Sequence, residues 1–339
     1  MSRPSVLVCD DSPTMRLALR RTLTQGGVAV TGEAATGQEA VAMARSLKPD
    51  LISMDVMLPD LDGFQATRAI LADGPARIVM VSAAGEALQT DLSFRALQCG
   101  ALDLVEKPEA GEPDGLASWG RALAERLLLL AALPLGLRAP AGASTLPRRP
   151  FQSPHRVAAF GIAVSTGGPP ALAQLLKGLD PGLSYPVLVA QHIAPGFAPG
   201  LARWLAGQTR LPVRLAAGGE IPAPGVVWLA ADRTDLVLTG DGRLGASPNA
   251  QGLCPNGDRL LASLASLLGR NCAGAVLTGM GADGAQGLLA MKRAGALTFA
   301  QDSASCVVDG MPAAAVAAGG TELRLSLEEL GFVMAELGR

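Results

Sequence analysis

Aromatic residues are scarce in this 339-residue chain, at 3% of the total with one Tyr. So few large rings argue against a pocket walled by aromatics, as a hydrolase of small apolar esters would need. A basic excess is missing too. Lys and Arg number 28 against 30 Asp and Glu, and from residue 151 onward there are 13 of each. No basic stripe is therefore available to track a phosphate backbone, so nucleic acid is not an expected partner. The five cysteines are scattered, odd in number and contain no CxxC pair, so neither a disulfide framework nor a zinc site is indicated. Cys9 and Cys272 lie in apolar runs and are expected to pack as small hydrophobes. The longest greasy run, Leu127 to Leu137, falls short of the roughly 20 residues needed to cross a bilayer and contains Pro134. No leader-like segment precedes the first apolar run. A cytoplasmic protein without membrane insertion is the expectation. Histidine is scarce as well: there are two, His155 and His192.

What is present points to two α/β domains. Hydrophobic residues make up 49% of the chain, too many for global disorder, and the length suggests about two domains. Val6–Cys9, Ala29–Thr31, Leu51–Met54, Ile78–Ser82 and Leu102–Val105 read as strands, with helical patterns such as Pro13–Leu23 and Gly37–Ser46 between them. Ser12 before Pro13 is a good helix start, a cap followed by a residue of preset φ. This alternation predicts a doubly wound parallel sheet. Leu116–Leu133 reads as a last helix. Pro134, Pro140, Pro147 and Pro150 then mark a linker, so the expected boundaries are 1–133, linker 134–152 and 153–339. A second βα series starts near Val157, with no internal repeat between the halves beyond this alternation.

In the first half, carboxylates gather at strand ends. Asp10 and Asp11 follow the first strand and Asp55 follows the third. Ser82 ends the fourth, and Lys107 follows the fifth. Three carboxylates at one sheet mouth repel each other unless a hard cation such as Mg²⁺ lies between them. Lys107 and Ser82 can hold an anion opposite. This is equipment for moving a phosphoryl group onto a carboxylate. The plainer alternative, that each Asp caps the next helix, explains neither Lys107-Pro108 nor the Asp10-Asp11 doublet.

The segments VLVCDDSPTMR (6–16), DLISMDVMLPDLDGF (50–64), VMVSA (79–83) and ALDLVEKP (101–108) resemble the receiver domain of bacterial response regulators. The resemblance implies a flavodoxin-like fold with Asp55 as phosphoacceptor. It implies Mg²⁺ held by Asp11, Asp55 and the Met57 carbonyl, with Asp10 nearby, and Ser82 and Lys107 as switch residues. It also implies a histidine kinase as partner. Leu104 departs from the pattern, standing where an aromatic is usual.

In the second half, three chemistry-bearing residues each follow an apolar strand-like run. Ser165 follows Val157–Val164 and precedes Thr166-Gly167-Gly168-Pro169. His192 follows Pro186–Gln191. Asp283 comes shortly after Ala275–Thr278, in a glycine-rich stretch. Functional groups collect outside the carboxyl ends of parallel strands. A serine needs a base, and the base an orienting group, to become a nucleophile. Singly, each residue has a plainer reading. Ser165 could cap a helix starting near Pro169, His192 could be a packed loop residue, and Asp283 before Gly284 could be a turn residue. His155 competes as base but sits beside Pro154 and ends no strand. The serine is not in a GxSxG elbow, and the order Ser, His, Asp differs from that of the α/β-hydrolases.

The motifs VSTGGPP (164–170), QHIAPGF (191–197) and LTGMGADGA (277–285), behind a receiver-like half, resemble the protein-glutamate methylesterase of bacterial chemotaxis. The resemblance implies a Rossmann-like α/β domain with Ser165 as nucleophile, His192 as general base and acid, and Asp283 orienting His192. Thr166 and the Met280 amide fall in its oxyanion-stabilising region. Methylated chemoreceptor helices are the implied substrate, and deamidation of glutamines is a second activity of many members. No cofactor is implied for ester hydrolysis. The unphosphorylated receiver is implied to obstruct the Ser165 site. The chain departs from the pattern at Ala282, Asp309 and the stretch Trp228–Asp235. Two alternatives remain: a phosphorylation-controlled adaptor with a degenerate site, and a hydrolase of small esters.

Overall fold

In the computed structural model, the described residues are 3–74, 76–82, 99–107, 115–131, 155–193, 196–248 and 254–338. The chain divides into two compact units, Met1–Gly136 and Leu137–Arg339. The expected linker core and Pro108 lie outside the described residues.

The first unit is a five-stranded parallel sheet of order β2-β1-β3-β4-β5. Its strands are β1 (Ser5–Cys9), β2 (Ala29–Ala34), β3 (Leu51–Asp55), β4 (Ile78–Ser82) and β5 (Asp103–Glu106). β3 and β4 are buried throughout, as both-face coverage of a parallel sheet requires. The helices are α1 (Pro13–Gln25), α2 (Gly37–Leu47), α3 (Gly63–Asp73) and α4 (Gly115–Ala131). α1 packs on α4, and α2 on α3. The sequence-predicted cap of α1 is present: Ser12 Oγ accepts from the Met15 amide at 3.3 Å. β2 runs three residues beyond the predicted Ala29–Thr31, because its mixed burial hides the end of the apolar run.

The second unit holds a seven-stranded parallel sheet of order β14-β13-β12-β6-β7-β9-β8. Its strands are β6 (Ala159–Val164), β7 (Val187–Gln191), β8 (Val213–Ala216), β9 (Val227–Ala230), β12 (Cys272–Val276), β13 (Leu297–Gln301) and β14 (Arg324–Leu325). A separate antiparallel hairpin, β10 (Thr234–Leu238) with β11 (Leu244–Pro248), was not foreseen. The helices are α5 (Gly168–Lys177), α6 (Ala198–Gln208), α7 (Gly257–Leu268), α8 (Ala285–Arg293), α9 (Gly310–Ala317) and α10 (Leu327–Leu337). The single Tyr, Tyr185, is fully buried and donates its hydroxyl to the Met334 carbonyl at 2.6 Å, tying α10 down. None of the helices among the described residues is long and apolar enough to cross a membrane.

From β6 the chain winds outward to β7, β8 and β9. It then returns across β6 to build β12, β13 and β14 on the other side. The winding direction therefore reverses between β6 and β12, which is where open α/β sheets bind ligands.

Candidate active site

Ser165 and Asp283 come from the two strands that flank this reversal, and His192 from the next strand over. In register, Val164 lies opposite Gln191, so Ser165 and His192 are the next residues of neighbouring strands. The ladder continues past the strand ends: the His192 amide donates to Val164 O at 2.9 Å, and the Ser165 amide to Thr278 O at 3.0 Å. The backbones of all three loops are thus fixed by the central strands β12, β6 and β7.

Ser165 is half-buried and is not a helix cap. That place is taken by Gly167, at φ 77°, with no side-chain cap bond. A left-handed residue there favours glycine. His192 Nε2 lies 2.6 Å from Asp283 Oδ2, with the two side chains 11% and 3% exposed. An ionised carboxylate only accepts, so Nε2 carries the proton in this pair and Nδ1 is the nitrogen left for Ser165. No hydrogen bond joins Ser165 Oγ to His192 among the described residues; such bonds commonly close when substrate binds.

Asp283 does more than face the histidine. Its Oδ2 accepts from the Gly257 amide at 2.6 Å and its Oδ1 from the Asp258 amide at 3.0 Å. These are the first two amides of α7, where the helix dipole favours an anion. Burial pushes the Asp283 carboxyl up, but the bonds from His192, Gly257 and Asp258 outweigh it and hold it below the usual carboxylate range. Asp258 returns the service. Its Oδ1 accepts from the Gly287 amide at 2.7 Å in the first turn of α8. Burial, then the nearby Asp283 charge, raise the Asp258 carboxyl. Each helix start is held by an aspartate from the other's segment. We expect Asp283→Ala to lower hydrolase-unit stability by about 1–3 kcal/mol, since two α7 amides lose their acceptor. Thermal unfolding of the full chain would show it. Ser165→Ala, which removes no such partner, is expected to melt like the parent.

The remaining expected positions fall around this centre. Thr166 is buried, and its carbonyl accepts from Thr278 Oγ1 at 2.9 Å. Met280 is half-buried, next to Gly279, whose amide bonds Val308 O at 2.9 Å and whose carbonyl accepts from Met311 at 2.9 Å. His155 precedes the amino end of β6, and Ser165 follows its carboxyl end, about 20 Å away along a six-residue strand. His155 is therefore not brought to the site. The departures are matched within the chain. Asp309 pairs with Arg324 and accepts from Ser303 Oγ at 2.6 Å. Asp235 is fully buried, accepts from the Asn256 amide at 2.8 Å and pairs with Arg259. Ala282 is exposed.

In the first unit, carboxylate oxygens of Asp10, Asp11 and Asp55 lie within 4.8 Å of one another. Asp10 and Asp55 are buried, and Lys107 Nζ bridges them at 2.8 and 2.7 Å. Burial pushes the Asp55 carboxyl up to about 6, against the pull of Lys107. Burial lowers Lys107, but its bonds to Asp10 and Asp55 outweigh that and raise it. Asp10 lies in the same carboxylate cluster as Asp11 and Asp55. Ser82 is buried at the end of β4. The Met57 amide donates to Asp55 Oδ1 at 3.4 Å. Leu104 is half-buried against the unit's core. An all-oxygen donor set with one bridging ammonium fits a hard divalent cation.

Sequence reasoning missed Asp258 and the buried amides Gln191 and Gln301. The signal was available for Gln191, a polar residue closing an otherwise apolar strand run, and weaker for Gln301, whose run also holds Thr298.

Residues 160–334 match the family described as CheB methylesterase, and residues 6–114 match the response regulator receiver domain. A relative from Myxococcus xanthus (strain DK1622), "Protein-glutamate methylesterase/protein-glutamine glutaminase 3", is 47% identical over 96% of this chain and 91% of its own. A relative of the same name from Anaeromyxobacter dehalogenans (strain 2CP-C) is 42% identical over 93% of both chains. Among solved structures, the Thermotoga maritima CheB methylesterase catalytic domain superposes with a TM-score of 0.51 at 30% identity, covering 53% of this chain and 98% of that one. Both halves read from the residues are therefore matched in one chain, which belongs to the CheB methylesterase family and carries a response regulator receiver domain ahead of its methylesterase domain.

Proposed function

We propose that this chain hydrolyses glutamyl methyl esters on chemoreceptor helices at Ser165, and that phosphorylation of Asp55 controls the rate. The observation that carries the reading is the His192–Asp283 bond on the strand end next to Ser165. His192 Nδ1 takes the Ser165 proton as Oγ bonds to the ester carbonyl carbon. Thr166 and the Met280 amide would face the developing oxyanion, and each such donor would contribute about 3–4 kcal/mol to the transition state. The protonated histidine gives its proton to the departing methoxide, and methanol leaves. Water then attacks the acyl-serine with His192 again as base, releasing glutamate and restoring Ser165. A glutamine amide would follow the same path with ammonia leaving, in keeping with the paired names of the relatives.

In the receiver, Asp11, Asp55 and the Met57 carbonyl would hold Mg²⁺, with Asp10 beside them. The ion would neutralise charge on the entering phosphoryl group. Asp55 Oδ would accept that group from a histidine kinase, and Lys107 and Ser82 would hold it.

The test is methanol release from methylated receptor, with and without a small phosphodonor. Activity that rises with the phosphodonor supports the reading. A folded protein with no methanol release on any methylated receptor would favour the adaptor alternative, and turnover confined to small esters the other. Removal of residues 1–150 is expected to raise basal turnover and abolish the phosphodonor response. The hydrolase unit has its own core, and the Thermotoga catalytic domain was solved on its own. A truncated protein no faster than the unphosphorylated full chain would leave direct activation by the phosphorylated receiver as the mechanism. Phosphate can shift the balance only by its differential interaction with the two states, which bounds the gain.

A further inference from the structure

Gln191 is the last residue of β7, and its side chain is buried between the serine and histidine loops. Its Nε2 donates to the carbonyl of Ser165 at 2.9 Å and to the carbonyl of His192 at 2.8 Å. A reversed amide would set an oxygen against both carbonyls, so the orientation follows from the network. The cost appears at the other end. Gln191 Oε1 is buried with no hydrogen-bond partner among the described residues and lies against Gly168, where any side chain would collide with it. An unpaired buried acceptor is unfavourable, and an apolar side chain of the same size would avoid it. The benefit must therefore come from the nitrogen.

That nitrogen joins the two residues whose relative placement decides proton transfer. We propose that Gln191 is a positioning residue, whose amide clamps the Ser165 and His192 backbones together and so sets the approach of Oγ to Nδ1. This inference rests on the active-site reading above. The sheet alone does not do the same work. The ladder fixes the His192 amide and the Ser165 amide, and the Gly168 amide donates to the Ser165 carbonyl at 2.8 Å within the serine turn, but none of these bonds ties the Ser165 carbonyl to that of His192. Gln191 holds those carbonyls. General-base transfer needs heavy atoms within about 2.6–3.2 Å, and a displacement of about 1 Å can cost roughly 100-fold in rate.

The test uses the full chain with Gln191→Met and Gln191→Leu, and Ser165→Ala in parallel. Methanol release from methylated receptor gives kcat and KM. A fluorophosphonate that reacts with Ser165 gives both the fraction of competent sites and their rate of reaction. We expect kcat to fall about 100-fold with KM little changed. Phosphonylation should slow in step, while its end point and the melting curve stay near the parent's. A loss of stability alone would instead lower the end point and leave the rate per competent site intact. Folded variants that keep parental kcat, or that raise KM at constant kcat, would overturn the proposal. The control separates the two layers. If Ser165→Ala retains methanol release, the active-site reading fails. If Ser165→Ala abolishes it and the Gln191 variants do not slow it, the clamp alone fails.

Discussion

Ser165→Ala is expected to cut methanol release from methylated receptor by roughly ten-thousand- to million-fold while the protein stays folded. Ser165 follows β6 at the reversal point between β6 and β12, and it is half-buried and does not cap α5. His192→Ala should lose nearly as much, because Nε2 is committed to Asp283 and the serine would keep its proton. The double variant should be little worse than either single one, since the residues act as a unit. His155→Ala should turn over like the parent, because that ring lies ahead of β6 at the far end of the strand. Uptake of phosphate at the receiver should be unaffected in all of these. Parental methanol release from Ser165→Ala would place the chemistry elsewhere.

Asp55→Ala is expected to abolish stable labelling by a small phosphodonor, the largest effect available in the first unit. The carboxylate is the proposed acceptor, and it is held by Lys107 at 2.7 Å and neighboured by Asp10 and Asp11. Chelation of divalent cations should block labelling in the parent to the same extent. Asp11→Ala should raise the Mg²⁺ concentration needed, because it removes one anionic ligand and leaves Asp10 and Asp55 buried. Methanol release by Asp55→Ala should persist at the basal level and ignore the phosphodonor. Labelling at parental yield in Asp55→Ala would sink the assignment.

The strand ends were legible because parallel strands buried on both faces are written as continuous apolar runs, and a polar residue closing such a run stands out. Ser165, His192, Asp55 and Ser82 were visible on that ground. Strand order was not. That β12 returns to lie beside β6 depends on packing between segments more than a hundred residues apart, and no local pattern states it. For the same reason Asp258 escaped notice. It sits in NGD, an ordinary helix start, and its relation to Asp283 exists only once α7 and α8 are side by side. The β10–β11 hairpin had a local cue in Gly240-Asp241-Gly242, but short alternating segments on either side compete poorly against long apolar runs. Asp309 and Asp235 read as departures from a pattern. Their partners Arg324 and Arg259 are 15 and 24 residues further on, and only the fold pairs them.

The exchange of aspartates between α7 and α8 makes the three active-site positions unequal in a living cell. Under the proposed mechanism, a lesion at Ser165 would leave an inert but durable protein that still occupies its partners. A lesion at Asp283 also loosens two helix starts. A loss of one or two kcal/mol can lower abundance several-fold through degradation. The two alleles would therefore differ in dominance: the serine mutant would compete with a normal copy, whereas the aspartate mutant would leave it a clear field.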